Sequence, residues 1–318
     1  MKFKRKHIGP FFLAVVASAI LGTNGVAAKY ATQSFHPITY LGIRYLIVGI
    51  LLGIFMIKGL PNIPKTLPKL HLLLNIALNF SYASLFFIGI SKSSALKAAV
   101  LMLTVPIFVY ILSLLVLREK FDKRAFIGVA VGLVGSLLVI GAPTLAGEAI
   151  SAGDLYLLGG YFSLATLIIH SKFINRWLNP KVYITYRTAV IGFVVVAGSL
   201  YLGEFPPLGD VTYQAWLAVA YGGVISGAIA LILFYKSLRF IPAEQAATTF
   251  YADPLAGVVA STILLGDTIT TETWIGAAIV ILGIIIAHPI HNRLFHNIVM
   301  AGEGVVTTTE KAFKQLFR

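Results

Sequence analysis

Two stretches of the sequence, PITYLGIR at 37–44 and PKVYITYR at 180–187, set a proline, a tyrosine three residues on and an arginine four beyond that at the head of an apolar run. The copies lie 143 residues apart, and at the same offset Lys29 matches Lys172. A second register, offset by 148, aligns Ala98-Ala99 and Pro106 with Ala246-Ala247 and Pro254. It also aligns Glu119 with Asp267, Phe126-Ile127-Gly128 with Trp274-Ile275-Gly276, and Gly135 with Gly283. Agreement at fixed spacing over this many positions marks an internal repeat.

The repeating unit is apolar. Of 318 residues 58% are hydrophobic and 12% charged, about half the charge that a soluble domain uses to cover its surface. That composition excludes an ordinary soluble enzyme. A bilayer core of about 30 Å takes roughly 20 apolar residues in a helix. Ten such runs lie at about 8–29, 37–57, 70–90, 96–117, 125–141, 154–174, 181–202, 213–235, 243–265 and 273–290. Five spans per copy is an odd number, so the second copy enters the membrane from the opposite face. Lys2, Lys4, Arg5 and Lys6, the first run and Val26-Ala27-Ala28 also fit a signal peptide. That run is long for one, however, and its end at Lys29 recurs at Lys172, so it is read as span 1. The expected fold is all-α: ten transmembrane helices in two inverted five-helix repeats, 8–141 and 151–290, around a central cavity.

The net charge of +13 would suit a nucleic-acid binder had its basic residues covered a charged, soluble surface. Here they gather on alternate connections. The N-terminus, the 2–3 loop (Lys58, Lys65, Lys69), the 4–5 loop (Arg118, Lys120, Lys123, Arg124) and the 6–7 region (Lys172, Arg176, Lys181) alternate with poorly charged ones. Together with Lys236, Arg239 and the C-terminal tail they hold 20 of the 25 Lys and Arg; the other face holds Lys29, Lys92 and Lys97. The positive-inside rule then places both termini in the cytoplasm. The tail, 291–318, reads as a short basic amphipathic helix suited to an anionic leaflet, with Phe313 and Phe317 among Lys311, Lys314 and Arg318.

Polar residues at spacings of three and four mark helix faces turned away from lipid. Span 3 carries Asn75, Asn79 and Tyr82; span 6 carries Ser163, Thr166 and His170 with Tyr161 nearby; span 9 carries Gln245, Thr249 and Asp253. Such stripes line a cavity or bond neighbouring helices. Spans 5 and 10, with Gly128, Gly132, Gly135, Gly276 and Gly283, are expected at the periphery, packed closely. Asp253 lies about 15 Å into span 9 at the rise of a helix. A carboxylate there costs several kcal/mol unless it pairs, meets water or takes a proton. It is the leading candidate to bind a cationic or zwitterionic substrate or a coupling proton; a structural pair with Arg44 or Arg187 is the alternative. Those arginines sit about two turns inside opposite faces, and either snorkel or act as gates. Pro106 and Pro254 remove helical donors and loosen their spans. Tyr82, Tyr161, Tyr221 and Tyr251 are candidates to stack on a flat or cationic ligand. Ser151-x-x-Asp154 is expected to cap span 6, and Glu244 suits the first turn of span 9.

With these residues the chain resembles the EamA-type ten-span members of the drug/metabolite transporter superfamily over residues 8–290. The resemblance rests on Gly22-Thr23-Asn24 and Lys29, the Pro-to-Arg spacing of spans 2 and 7, the Pro106 and Pro254 spans, and the joint Leu117-Arg118-Glu119-Lys120-Phe121. Its counterpart Leu265-Gly266-Asp267-Thr268-Ile269 departs from the family in carrying Asp where Glu is frequent. The resemblance implies a basket of helices, alternating access, and export of small metabolites, amino acids or drug-like compounds across the cytoplasmic membrane; it adds Asn24 to the candidates. The implied partners are a small-molecule substrate and the lipid bilayer; no cofactor, metal or nucleic acid is expected. Other classes fit less well. There is one mid-membrane Asp where a two-aspartate intramembrane protease needs two, no His-Glu-x-x-His, no Gly-x-Ser-x-Gly and no phosphate-binding loop. No channel filter is visible, and a non-transporting scaffold or receptor would leave the three polar stripes unexplained.

Overall fold

The computed structural model describes residues 8–57, 69–90, 92–93, 95–140, 150–266 and 270–287. The basic N-terminal head, Lys58, Lys65, Asp267 and the expected tail helix lie outside them. The first repeat comprises α1 (Ile8–Ala31), α2 (Pro37–Ile57), α3 (Lys69–Ile90), α4 (Ala95–Met102), α5 (Val105–Leu115) and α6 (Lys123–Ile140). The second comprises α7 (Ala152–Ile174), α8 (Pro180–Tyr201), α9 (Tyr213–Gly223), α10 (Ala230–Ser237), α11 (Ala243–Thr248), α12 (Ala252–Leu265) and α13 (Thr271–Ala287). Seven stretches are long and apolar enough to cross a membrane, and Leu70–Phe86 and Thr271–Ala287 are shorter apolar helices. Span 9, expected at 243–265, is broken: a 3-10 turn at Thr249–Tyr251 separates α11 from α12.

Local chemistry sets the ends. Ser151 accepts from the Asp154 N–H while Asp154 accepts from the Ser151 N–H at 2.8 Å, a capping box that starts α7. Asn179 caps α8 ahead of Pro180 at N1, and Thr212 caps α9. Gly266, at φ +75°, ends α12 in the left-handed conformation that a side chain disfavours.

Each repeat is completed by the other. α2 packs on α8 and α6 on α13; α3 on α7 is matched by α1 on α9 and α10, and α5 on α7 by α1 on α12. Exchanging the repeats maps these contacts onto one another, as a two-fold in the membrane plane requires. Some of the close approaches between the repeats are backbone to backbone. A Cβ on Gly49 would sit 2.6 Å from the Cα of Ala189, and one on Gly283 2.5 Å from the N of Gly132. Large apolar side chains such as Phe193, Ile263 and Trp274 are exposed on the outside, which in a protein of this composition is the lipid-facing surface.

Two spans break at equivalent places. α4 gives way to α5 just before Pro106, which occupies its first turn, and α11 gives way to α12 just before Pro254. Both prolines deny a donor to the carbonyl four residues back. A third interruption carries no proline: Val224–Ile229 forms a π-helical turn between α9 and α10.

Candidate functional site

The two proline breaks border a cavity of about 760 Å³, within the range of small-molecule sites. Both repeats line it: Asn24, Arg44, Asn79 and Tyr82 from the first, Arg187, Tyr235, Tyr251 and Asp253 from the second. Pro106 and Pro254 lie on its wall. It extends to Thr32 and Pro37 at the α1–α2 connection and to Ser261 in α12, which belong to the poorly charged face.

Why Asp253 points here follows from α1. A Cβ on Gly22 would sit 2.6 Å from Asp253 Oδ1 and would also strike the Asp253 carbonyl oxygen, so glycine lets the carboxylate and its backbone nest against α1. Asp253 Oδ1 is buried and makes no hydrogen bond within the protein. Neither arginine makes an ion pair with it; ion pairs among the described residues include His36–Glu204 and Lys97–Asp154. Arg44 turns instead to the end of α9 and the π-turn after it, Nε donating to Gly222 O at 2.9 Å and Nη2 to Ser226 Oγ at 3.1 Å. Arg187 is 2% exposed. Its guanidinium carbon lies 4.4 Å from the Tyr235 ring centroid, and Nη1 donates to Asn75 Oδ1 at 3.4 Å.

Unsatisfied polar atoms concentrate at this cavity. Asp253 Oδ1, Arg187 Nε, Asn79 Nδ2 and Tyr251 OH are buried without an internal partner, and all four residues line it. Buried polar groups are otherwise almost always hydrogen-bonded. One carboxylate and two donors thus belong to residues around a common space whose remaining wall is largely apolar, with aromatic rings that include Tyr45, Phe86 and Phe234.

The other predicted residues are placed differently. Thr249 shares a 2.9 Å hydrogen bond with Ser18, and Tyr221 one of 2.5 Å with Thr23. Tyr161 donates to Ala98 O at 2.8 Å and Thr166 to Phe162 O at 2.9 Å. Gln245 is buried in α11. Asn24 lines the cavity and accepts from Tyr40 OH at 3.0 Å. Asn75 and His170 join a chain outside it, with Asn75 Nδ2 3.3 Å from His170 Nδ1 and His170 Nε2 3.3 Å from His71 Nδ1. Sequence reasoning passed over His71, although it extends the span 3 stripe by one turn. It also missed Tyr235 and Ser226, which no polar periodicity marks. No cluster of three or more His, Asp or Glu side chains suited to a metal occurs among the described residues.

The family described as EamA-like transporter family matches residues 9–141 and again residues 151–287. The chain belongs to that family. Among relatives, the "Uncharacterized transporter YyaM" of Bacillus subtilis (strain 168) is 25% identical over 290 residues, covering 89% of this chain and 94% of the relative. The "Uncharacterized inner membrane transporter YedA" of Escherichia coli (strain K12) is 25% identical over 302 residues, covering 90% and 92%. A solved structure titled "Crystal structure of protein" aligns with a TM-score of 0.76 over 88% of this chain and 97% of its own, at 15% identity, a likeness of fold alone. As an EamA-like protein the chain is a membrane transporter for small molecules, and its relatives carry transporter names.

Proposed function

We propose that this EamA-like protein is a secondary transporter of the cytoplasmic membrane, with both termini in the cytoplasm, that exports a small solute by alternating access. The repeats 8–141 and 151–290 form its two halves, and the solute is cationic or dipolar with an apolar or aromatic body. The observation that carries this reading is the set of unpartnered atoms of opposite sense around one cavity. Asp253 Oδ1 accepts from an ammonium or protonated amine, while Arg187 Nε and Asn79 Nδ2 donate to a carboxylate or carbonyl. Tyr82 and Tyr251 supply faces for the body of the solute. A buried polar group left unmatched costs about 1–3 kcal/mol, so a solute that satisfies these atoms gains what the empty protein forgoes. When no solute is present, a proton on Asp253 relieves the same cost, which makes it the candidate carrier of a coupling proton.

Counterflow in proteoliposomes tests the reading directly: vesicles preloaded with members of an amine and amino-acid panel should accelerate entry of the labelled compound. Asp253→Asn keeps the shape and removes the charge, and should weaken apparent affinity for the cationic end roughly thirtyfold. It should also flatten the pH dependence of exchange. Unchanged transport and pH profile in that variant would remove Asp253 from the mechanism.

A further inference from the structure

A second pocket, of about 330 Å³, lies outside the central cavity and is lined by Lys172, Asn175, Arg176 and Arg239. Three of these four side chains are cations and none is an acid. Two of them have work in the fold: Lys172 Nζ donates to Ile241 O, and Asn175 Nδ2 donates to Tyr235 O at 2.9 Å while its Oδ1 accepts from Tyr183 OH. The carboxylates acting on Lys172 are Glu119 and Glu244, neither of which lines the pocket, and Glu119 accepts from the Ala243 N–H. Arg176 and Arg239 make no ion pair among the described residues and are exposed.

Their positions repeat one another. Arg176 stands two residues past the end of the α7 span at Ile174, and Arg239 two residues past the end of the span closing at Ser237. Each is followed by a half-exposed aromatic, Trp177 at 49% and Phe240 at 50%. An arginine with an aromatic beside it, where a helix leaves the hydrocarbon, is the pairing that anchors at the headgroup level. Here the two arginines converge on one polar recess, each with its aromatic next in sequence.

We infer that the recess between the ends of α7 and α10 is a binding site for the phosphate of an anionic phospholipid headgroup. Arg176 and Arg239 clamp the phosphate through their guanidinium forks, and Lys172 adds charge at the floor. Trp177 and Phe240 lie along the glycerol and upper acyl chains, which favours a lipid over free phosphate as the source of the group. The site is separate from the solute cavity and stands whether or not the transported solute is dipolar.

The full-length protein in neutral detergent is titrated with short-chain phosphatidylglycerol and, separately, with inorganic phosphate. Wild type should bind the lipid saturably, and R176Q/R239Q roughly tenfold or more weakly, given about 1 kcal/mol for each basic residue at such a surface. K123Q/R124Q, two exposed cations at the start of α6, should bind as wild type does. Among the described residues the arginine side chains donate no hydrogen bond, and Arg176 has one ring contact, with Phe173 at 6.0 Å; both variants are therefore expected to fold, which their melting in detergent reports. Competition by inorganic phosphate alone at similar affinity would keep the phosphate site and remove the lipid as its source. Equal lipid affinity in wild type and R176Q/R239Q, or equal losses in both double variants, would overturn the site.

Discussion

Arg44 and Arg187 occupy equivalent places in the two repeats, yet their guanidinium groups are used differently. Each lies seven residues past the proline that opens its helix, about 10 Å in at the rise of a helix, but from opposite faces. Arg187 ties α8 to Asn75 of α3 and Tyr235 of α10, and Arg44 ties α2 to the π-turn of span 8. As gates, each tie is expected to be stronger in the state closed at its own end, although the Arg44 tie is also made here with the cavity open on its side. Arg187→Gln should then favour the state open to the basic face and Arg44→Gln the state open to the other, each by roughly fivefold or more in population. Initial rates of uptake and efflux in oriented vesicles should move in opposite senses in the two variants. Movement in the same sense would reduce both arginines to supports. This is also where sequence reading reached its limit. Spacing of three and four put Asn79, Tyr82 and Asp253 on polar faces, and those residues line the cavity. The same spacing put Tyr161 and Thr166 on a polar face whose hydroxyls are taken up by the carbonyls of Ala98 and Phe162. Periodicity reports that a face avoids lipid, and a neighbouring helix satisfies that condition as well as a cavity does.

At the scale of elements, the spans and their prolines were legible because lipid imposes length and Pro removes a donor. The π-turn was not. Val224-Ile-Ser-Gly-Ala-Ile229 is as apolar and as continuous as any spanning run, and the one-residue widening leaves no signature until Arg44 is seen donating to the carbonyl and hydroxyl of Ser226. Close packing of α6 and α13 was legible through their glycines, though Gly132 does more than admit a helix: a Cβ there would strike the ring of Tyr251, so it also makes room for a cavity residue. These contacts predict a sharp contrast. Gly283→Val places new atoms against the backbone of Gly132, which cannot yield as a flexible side chain does, and should cost about 1–3 kcal/mol. Gly25→Ala meets nothing within 4 Å and should cost little beyond the change of residue. Thermal unfolding in detergent, followed through tryptophan fluorescence, should show the valine variant melting several degrees lower and the alanine variant close to wild type. Equal melting would mean that the two helices are less tightly apposed than their backbones indicate.

For the whole molecule, inversion of the repeats carries the strongest consequence, since exchanging the conformations of two halves related by a two-fold exchanges the face to which the cavity opens. In the structure the cavity runs to Thr32 and Ser261, whereas Ser171, beside Asn75 and His170 at the other end, is fully buried. The chain has no cysteine, so single cysteines report access without a background to remove. Ser261→Cys should react readily with a membrane-impermeant maleimide from the poorly charged face, and Ser171→Cys slowly from either. Labelling of Ser261→Cys only in inside-out vesicles would reverse the orientation read from the basic loops. Adding Arg187→Gln releases the tie at the Ser171 end. Alternating access then requires that Ser171→Cys label faster from the basic face while Ser261→Cys labels more slowly, because one conformation gains at the expense of the other. A rise at Ser171 with no fall at Ser261 would mean that both ends open at once. The cavity would then behave as a pore, and the two-fold would have no part in transport.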